Sequence, residues 1–155
     1  MKKSGFTLLE VFVSLTILTV AVLGLFILAK QTISFLPLSE QRLIASYLAQ
    51  EGVEIVRNLR DVNRLKGVSW DLGLTGYAAG GEADYSSASL VAWTGRYLRN
   101  SGAFYGYAGA TLTPYQRKIS LTPNGSQILM VNVEILWQER GRSHTLSVRE
   151  DLYNW

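Results

Sequence analysis

The sequence predicts an α+β fold in which a long N-terminal helix packs against a C-terminal antiparallel sheet of three to four strands. Three observations support this prediction. A long apolar segment near the N-terminus runs into helix-forming residues that continue to residue 66. Residues 115–155 alternate between apolar and polar side chains and contain turn signals. Residues 67–114, which lie between them, are rich in glycine and tyrosine and have no sustained periodicity.

Residues 6–29 are long and apolar enough to cross a membrane. No residue in 11–29 carries a charge, and thirteen of these residues are Val, Leu, Ile or Phe. As a helix, residues 6–29 would be about 36 Å long, which exceeds the hydrocarbon layer of a bilayer, about 30 Å thick. Lys2 and Lys3 precede the segment and Lys30 follows it. This bias places the N-terminus in the cytoplasm and the rest of the chain outside.

Glu10 is the one carboxylate in this apolar segment, and an acid in such surroundings indicates a function by default. Thr7-x-x-Glu10 also fits a capping box, in which the glutamate satisfies a backbone donor where a helix starts. The two interpretations are compatible. The small pair Ser4-Gly5 lies before the apolar segment, whereas a secretory signal peptide has its small-residue cleavage site after it. Cleavage after Gly5 would expose an amine on Phe6, close to the acid in sequence.

The hexapeptide Gly5-Phe6-Thr7-Leu8-Leu9-Glu10, followed by an uncharged helix, resembles the N-terminal signature of type IV prepilins and of the pseudopilins of type II secretion. The resemblance implies that a prepilin peptidase removes the leader, residues 1–5, by cleavage between Gly5 and Phe6. It also implies N-methylation of Phe6 and a role for Glu10 in assembly, where it pairs with the N-terminal amine of a neighbouring subunit. The implied partners are other pilin subunits, an inner-membrane assembly platform and, before assembly, membrane lipid.

Residues 30–66 are predicted to form the amphipathic half of the helix, and Gly67 is a good terminator. Residues 45–57 resemble the pattern A-x-x-L-A-x-E-x-x-E-x-x-R of PilV-like minor pilins and of I-type pseudopilins. Its charged members form either a solvated face or contacts between subunits; they are Glu51, Glu54 and Arg57.

Residues 67–114 contain nine of the 14 glycines, with tyrosine and tryptophan interspersed. We interpret this region as an irregular connection pinned by buried aromatic residues, with a short helix at residues 89–99. The alternative interpretation is a binding surface. In pilin-like proteins this stretch differs between subunits, so the resemblance implies a contact surface without identifying its partner.

The C-terminal third predicts strands at residues 115–122, 127–139 and 143–152, joined by turns. The apolar residues of these strands occupy alternate positions and would share one face. They are Ile119, Leu121, Leu129, Val131, Val133, Ile135, Trp137, Leu146, Val148 and Leu152. Because an apolar sheet face needs a cover, the helical residues 44–62 should lie across it.

The composition excludes several kinds of chemistry. The chain has no cysteine, so disulfides and thiolate metal sites are excluded. His144, the only histidine, lies beside a turn and is predicted to be a surface residue on the polar side of its strand. No phosphate-binding loop and no metal-ligand spacing occurs. We therefore predict no cofactor, no metal and no enzymatic activity.

These patterns predict a structural subunit, a minor pilin of a type IV pilus-like filament. The PilV-like pattern, the missing disulfide and the absence of proline from residues 6–29 favour a minor over a major pilin. The predicted location is the inner membrane, crossed once with the N-terminus in the cytoplasm, and then an extracellular or periplasmic filament. A pseudopilin of a type II secretion system is an alternative.

A DNA-binding competence pilin is a further alternative, because basic residues could contact phosphates. These are Arg57, Arg60, Arg64, Lys66, Arg96, Arg99, Arg140 and Arg142. Removing Lys2 and Lys3 with the leader lowers the formal charge from +3 to +1. So small a charge argues against nucleic acid as a partner.

Overall fold

The computed structural model describes residue 5 and residues 7–154, with the side chains of residues 33–37 left out. It contains one α-helix and seven β-strands, which confirms the predicted α+β class. The chain divides into two compact units, Met1–Glu40 and Gln41–Trp155. The first unit is helical from Leu8 onward, and the second contains the rest of the helix and the whole sheet.

Helix α1 runs from Leu8–Leu65, and local signals set both of its ends. At its start, the Oγ1 atom of Thr7 accepts a hydrogen bond of 3.3 Å from the backbone N–H of Glu10, so Thr7 is the N-cap residue. At its end, Gly67 adopts φ +70°, a conformation that glycine takes without a steric penalty. The N–H of Gly67 donates to Arg64 O and that of Val68 to Asn63 O. This pair of bonds is a Schellman motif.

All strands of the sheet are antiparallel, and three of them are long. The long strands are β5 (Thr111–Asn124), β6 (Ile128–Glu139) and β7 (Arg142–Tyr153), with β6 in the middle. The short strands are β1 (Gly81–Glu82), β2 (Val91–Ala92), β3 (Tyr97–Asn100) and β4 (Tyr105–Gly106). Strands β1 and β3 share the outer side of β5, and each carries one further short strand.

The three predicted strands are thus confirmed, and the glycine-rich region adds the four short ones. The short helix predicted at residues 89–99 is wrong, because β2 and the start of β3 occupy it. Gly95 between them adopts φ +77°, which a helix does not contain. Pairing with β5 orders the last part of this stretch, so a distant partner decides its structure.

The core of the second unit lies between the sheet and the part of α1 after residue 41. The predicted apolar sheet face is the buried one: Ile119, Leu121 and the inward residues of β6 are 0–4 % exposed. On α1, Ala45, Leu48, Ala49 and Val56 pack against them. A Cβ atom on Gly52 would lie 2.7 Å from Cγ1 of Val133, so this glycine permits the close approach of the helix.

His144 lies on this inward face, which corrects the prediction that it is on the polar side of its strand. It follows the same alternation as Leu146 and pairs with Trp137 of β6. The two rings stack with centroids 5.3 Å apart. Packing against an indole, and not catalysis, accounts for the position of this histidine.

Candidate functional site

Glu10 is exposed near the start of α1, and its carboxylate is not used by the helix cap. The cap uses the backbone N–H of Glu10, which donates to Thr7. Within residues 7–154, the carboxylate has no hydrogen bond or ion pair, so the predicted capping box is formed in only one direction. The positive end of the helix dipole favours a negative charge at this place. The carboxylate is therefore available to a cation from outside the described chain.

The helix around Glu10 has an uncovered apolar surface. The segment Leu8–Thr32 comprises 25 residues with a mean hydropathy of 2.8, and no part of its most apolar window is buried within the protein. Phe12, Leu25 and Phe26 are each exposed by more than 65 %. An apolar surface of this size needs lipid or other apolar helices as its surroundings.

The hydroxyl groups in this segment satisfy their hydrogen bonds within the helix. Ser14 donates to Glu10 O at 2.7 Å, Thr16 to Phe12 O at 2.8 Å and Thr19 to Leu15 O at 2.7 Å. Each bond reaches the carbonyl four residues earlier, so the hydroxyls are paired without water. Glu10 thus differs from these hydroxyl-bearing side chains, since its carboxylate has no such partner among the described residues.

The predicted cleavage site lies at the border of the described residues. Gly5 is exposed, and a Cβ atom placed on it would meet no atom within 4 Å. Phe6, the predicted site of N-methylation, lies outside the described residues. Cleavage, methylation and the role of Glu10 therefore stay predictions.

Comparison with known families identifies this N-terminal segment. Residues 1–26 match the family model of the prokaryotic N-terminal methylation motif. The chain carries a prepilin signature. This signature belongs to type IV prepilins and pseudopilins, and it fits a pilin-like or pseudopilin subunit anchored in the inner membrane by its apolar helix. It implies processing by a prepilin peptidase and assembly with other pilins.

Beyond the prepilin signature, neither the search of curated proteins nor that of solved structures returned a match. The signature covers the first 26 residues, so residues 27–154 are described by their own structure alone.

The PilV-like pattern on α1 makes contacts within the chain. Glu51 Oε2 lies 3.0 Å from Arg117 Nη1 of β5. Arg57 forms ion pairs with Glu54 on the helix and with Glu150 on β7. The side-chain hydrogen bond from Arg57 to Glu150 is the main cause that raises the pKa of the guanidinium above its usual value. Glu51 and Arg57 thus join the helix to the sheet. The sequence had suggested a solvated face or contacts between subunits, and neither interpretation included contacts with the sheet of the same chain.

Arg117 is a functional candidate that the sequence analysis missed. Its side chain is fully buried and donates to three groups: Leu48 O at 3.3 Å, Ala83 O at 3.0 Å and the carboxylate of Glu51. It thereby joins α1, β5 and the residue after β1. The alternation of the strand could have indicated its burial, because Arg117 lies two residues before Ile119 and therefore on the same inward face.

The arginines considered for nucleic-acid binding are mostly engaged within the chain. Arg60 Nε donates to Asp61 at 2.8 Å, Arg64 Nη2 to Asn154 at 2.7 Å and Arg96 Nε to Glu82 at 2.6 Å. Arg99 Nη1 donates to Gly109 O at 3.3 Å. Guanidinium groups that already have acceptors are less available to phosphates, so the structure does not favour a nucleic-acid interface.

Two buried carboxylates order the glycine-rich region, together with the expected aromatic residues, of which Trp70, Tyr77, Tyr105 and Tyr107 pack against the core. Glu82 is 1 % exposed and accepts hydrogen bonds from Thr94 N at 2.7 Å and from Arg96 N at 3.2 Å. Asp84 accepts from Tyr107 N at 3.0 Å and from Ser86 N at 3.1 Å. Because the donors lie 2–23 residues away in sequence, these carboxylates fold residues 81–107 around themselves.

We expect these two carboxylates to make the stability of the fold depend on acid pH. Burial alone would raise the pKa of Glu82, but hydrogen bonds from Thr94 and Arg96 outweigh burial and lower the pKa below its usual value. Burial would likewise raise the pKa of Asp84, but hydrogen bonds from Tyr107, Ser86 and Ser87 outweigh burial and lower the pKa below its usual value. Both values are lower in the folded chain than in the unfolded chain. The stabilisation is therefore complete above the unfolded pKa values and is lost as the pH falls through the folded ones.

The measurement is urea unfolding of the full chain in detergent, followed by tryptophan fluorescence at pH 7 and at steps between about pH 5 and pH 3. The unfolding midpoint should decrease across the acid range, and less steeply in Glu82→Gln and Asp84→Asn. Glu139→Gln is the matched control, because the carboxylate of Glu139 has no hydrogen bond or ion pair within residues 7–154. A slope that is identical in all four proteins would contradict the assignment.

Among the described residues, no group of three or more His, Cys, Asp or Glu side chains could hold a metal ion.

Proposed function

We propose that this protein is a minor pilin, a structural subunit of a type IV pilus-like filament. The single observation that carries the proposal is the unpaired carboxylate of Glu10 in an uncovered apolar helix, within residues that match the N-terminal methylation motif. The proposed organisation is a leader at residues 1–5, a transmembrane and filament-core helix at 6–29 and an amphipathic half at 30–66. The connecting region, 67–114, and the sheet, 115–155, complete it.

The physics of the apolar helix supports a change of surroundings during assembly. In the inner membrane, lipid covers residues 6–29, with the N-terminus in the cytoplasm and the sheet outside. When the subunit enters a filament, helices of neighbouring subunits must replace the lipid. A carboxylate in such a bundle is costly unless a cation matches it. The amine of a processed Phe6 on the neighbouring subunit supplies that cation to Glu10.

A structural role also fits other polar groups of the chain. Arg117, Glu82 and Asp84 form hydrogen bonds with partners in the same chain that hold the fold together. His144 stacks on Trp137. Prepilin-type proteins are structural, and we propose that this chain likewise has no catalytic activity.

The PilV-like pattern and the absence of cysteine support a minor pilin over a major one. A type II secretion pseudopilin would share the processing and the use of Glu10. Co-purification of the assembly platform distinguishes a minor pilin from a pseudopilin. We expect a pilus motor complex to co-purify with the protein. A type II secretion platform alone would contradict the minor-pilin assignment.

Processing is tested by mass spectrometry of the protein extracted from membranes. We expect the N-terminal peptide to begin at Phe6 and to carry a methyl group on its amine. In a host with an inactive prepilin peptidase, the same peptide should begin at Met1. An intact Met1 terminus in a host with an active peptidase would reject the proposed processing.

A further inference from the structure

The turn between β6 and β7 lies at the end of the second unit from which α1 continues toward its N-terminus. At this end, the hydroxyl group of Tyr115 on β5 donates to Gln41 O at 3.3 Å. The Tyr115 ring lies 6.2 Å from the ring of Trp137 on β6. The turn follows Trp137 by two residues and joins Glu139 to Arg142. It is therefore at the Gln41 end of the sheet.

A short connection keeps Gln41 near the surface of the membrane that takes up the apolar segment. That segment ends at Thr32, and Gln41 follows it by nine residues of α1. Nine residues of helix are about 14 Å long. The headgroup layer outside the hydrocarbon is about 5–8 Å thick, and charges act over a Debye length of about 8 Å at physiological ionic strength. Positive charges at the Gln41 end can therefore reach lipid phosphates.

Three exposed arginines at this end have no partner within residues 7–154. Two of them, Arg140 and Arg142, belong to the turn, and the third, Arg42, follows Gln41 on α1. None of the three guanidinium groups forms a hydrogen bond or an ion pair with the described part of the chain. The acids nearest to them in sequence are Glu40 and Glu139. Three positive charges thus outnumber two negative ones.

Arginines farther from the turn differ, because carboxylates of the same chain already bind them. Examples are the ion pairs Arg60–Asp61, Arg96–Glu82 and Arg149–Asp151. A guanidinium with a carboxylate partner is less available to a phosphate. The arginines of the turn are therefore the members of the set considered for phosphate binding that remain open to an external anion at the Gln41 end.

The backbone of the turn gives a second and independent indication. Glu139 pairs with Arg142, so the loop consists of Arg140 and Gly141, with φ +49° and +76°. Positive φ at both positions is typical of a type I′ turn, which favours asparagine, aspartate or glycine at the first position. Arg140 is the one non-glycine residue with positive φ among the described residues. An arginine in a conformation that disfavours it points to a function of its side chain.

We propose that Arg140 and Arg142 bind the phosphate groups of anionic phospholipids, so that the turn docks the second unit on the membrane surface before assembly. Guanidinium groups suit this role, because they donate paired hydrogen bonds to phosphate oxygens. Nucleic acid is a less suitable source of the phosphates, because the turn lies at the membrane end and the processed chain has a formal charge of only +1. The inference rests on the proposed function in one respect, that a membrane holds the apolar part of α1.

Quenching of a fluorophore beside the turn by labelled lipid headgroups tests the proposal. Because the full chain has no cysteine, Ser143→Cys can carry a single NBD label next to Arg142. Ser126→Cys is the matched control, since its label lies in the turn between β5 and β6, about 36 Å away along β6. Both proteins are reconstituted into phosphatidylcholine vesicles with nitroxide-labelled headgroups, with or without about 30 % phosphatidylglycerol. We expect stronger quenching at position 143 than at position 126, and an increase with phosphatidylglycerol at position 143 only.

Changes to the turn test whether its arginines cause the docking. Combined with the label at position 143, Arg140→Asn and Arg142→Gln should each lower the ratio of docked to free second units about fivefold in anionic vesicles. Asparagine suits the positive φ of position 140, so the turn should keep its shape. Arg149→Gln is the matched control, because it removes the same charge from an exposed side chain seven residues along β7 and should not change the ratio.

Salt provides a test that leaves the turn unmodified. Raising sodium chloride from about 0.1 M to about 1 M shortens the Debye length from about 10 Å to about 3 Å. Quenching at position 143 in anionic vesicles should then decrease to the level found without phosphatidylglycerol. Inorganic phosphate at the same ionic strength should release the turn no more than sodium chloride does, because a lipid surface presents many phosphates at once.

Three results would overturn the proposal. The first is quenching at position 143 that does not depend on phosphatidylglycerol or is no stronger than at position 126. The second is an equal effect of Arg142→Gln and Arg149→Gln, which would reflect net charge alone. The third is a release of the turn by inorganic phosphate or by a DNA duplex beyond the release by sodium chloride at the same ionic strength, which would assign the arginines to that other anion.

The experiment separates this inference from the proposed function. The vesicles contain no prepilin peptidase and no filament, so neither leader cleavage nor Glu10 affects the quenching. The lipid and salt comparisons use the unmodified turn, so they decide the matter even if a variant fails to fold.

Discussion

Glu10→Val is expected to exclude the protein from filaments while leaving membrane insertion and leader removal unchanged. The substitution adds an apolar side chain to an apolar helix, so insertion should be at least as favourable. In the filament, the amine of the neighbouring Phe6 would lose its counter-charge in apolar surroundings. Removing one member of a buried ion pair costs about 3–5 kcal/mol. Recovery in sheared filaments, measured by immunoblot against the membrane fraction, should decrease at least about tenfold.

The cap of the helix provides the matched control for this experiment. Thr7→Ala removes the hydrogen bond from Glu10 N to Thr7 Oγ1 but retains the carboxylate. If the carboxylate acts in assembly, Thr7→Ala should enter filaments nearly as well as the wild type. Equal recovery of Glu10→Val and wild type would reject the role of Glu10. Equal loss in both variants would show that the helix start, and not the carboxylate, is required.

Arg117→Met should destabilise the sheet unit by about 3 kcal/mol, because it removes a buried donor from two backbone carbonyls and a carboxylate. The methionine can fill part of the volume, but the carbonyls of Leu48 and Ala83 lose the guanidinium. The carboxylate of Glu51 loses its ion pair and is 30 % exposed, so water can partly replace that bond. The cost should therefore come mainly from the two carbonyls.

Urea unfolding of the full chain in detergent, followed by tryptophan fluorescence, measures this effect. Arg149→Met is the matched control, because the Arg149 side chain is 62 % exposed and its change should cost less than about 0.5 kcal/mol. Glu51→Gln should cost less than Arg117→Met, since the amide can still accept a hydrogen bond. A similar loss of stability in Arg117→Met and Arg149→Met would contradict the structural role of the buried guanidinium.

The short strands and the buried charges could not be predicted from local patterns. Strands of two residues contain no measurable alternation, and β1 and β2 exist because they pair with each other and β1 pairs with β5. Arg117 bonds to Ala83, 34 residues away, and Glu82 bonds to Thr94, 12 residues away. Such partners have no fixed spacing, so composition alone indicated only an irregular region.

His144 is a different case, because its position on the inward face could have been predicted. It shares the parity of Leu146 and Val148, which the alternation correctly placed inside. The nearby turn led instead to a surface assignment. Strand β7 is an edge strand that pairs with β6, so an inward side chain on it is only half covered. A position beside a turn therefore does not show which face of the strand a residue lies on.

The amino-acid sequence by itself determined the features that depend on near neighbours: the uncovered apolar helix, its Thr7 cap, its end at Gly67 and the three long strands. These follow from hydrophobic periodicity and from hydrogen bonds between residues three to five positions apart. Only the tertiary structure decided which charges are buried and which strand edge stays open. Both depend on contacts between residues far apart in the chain, and such contacts form only once the helix lies on the sheet.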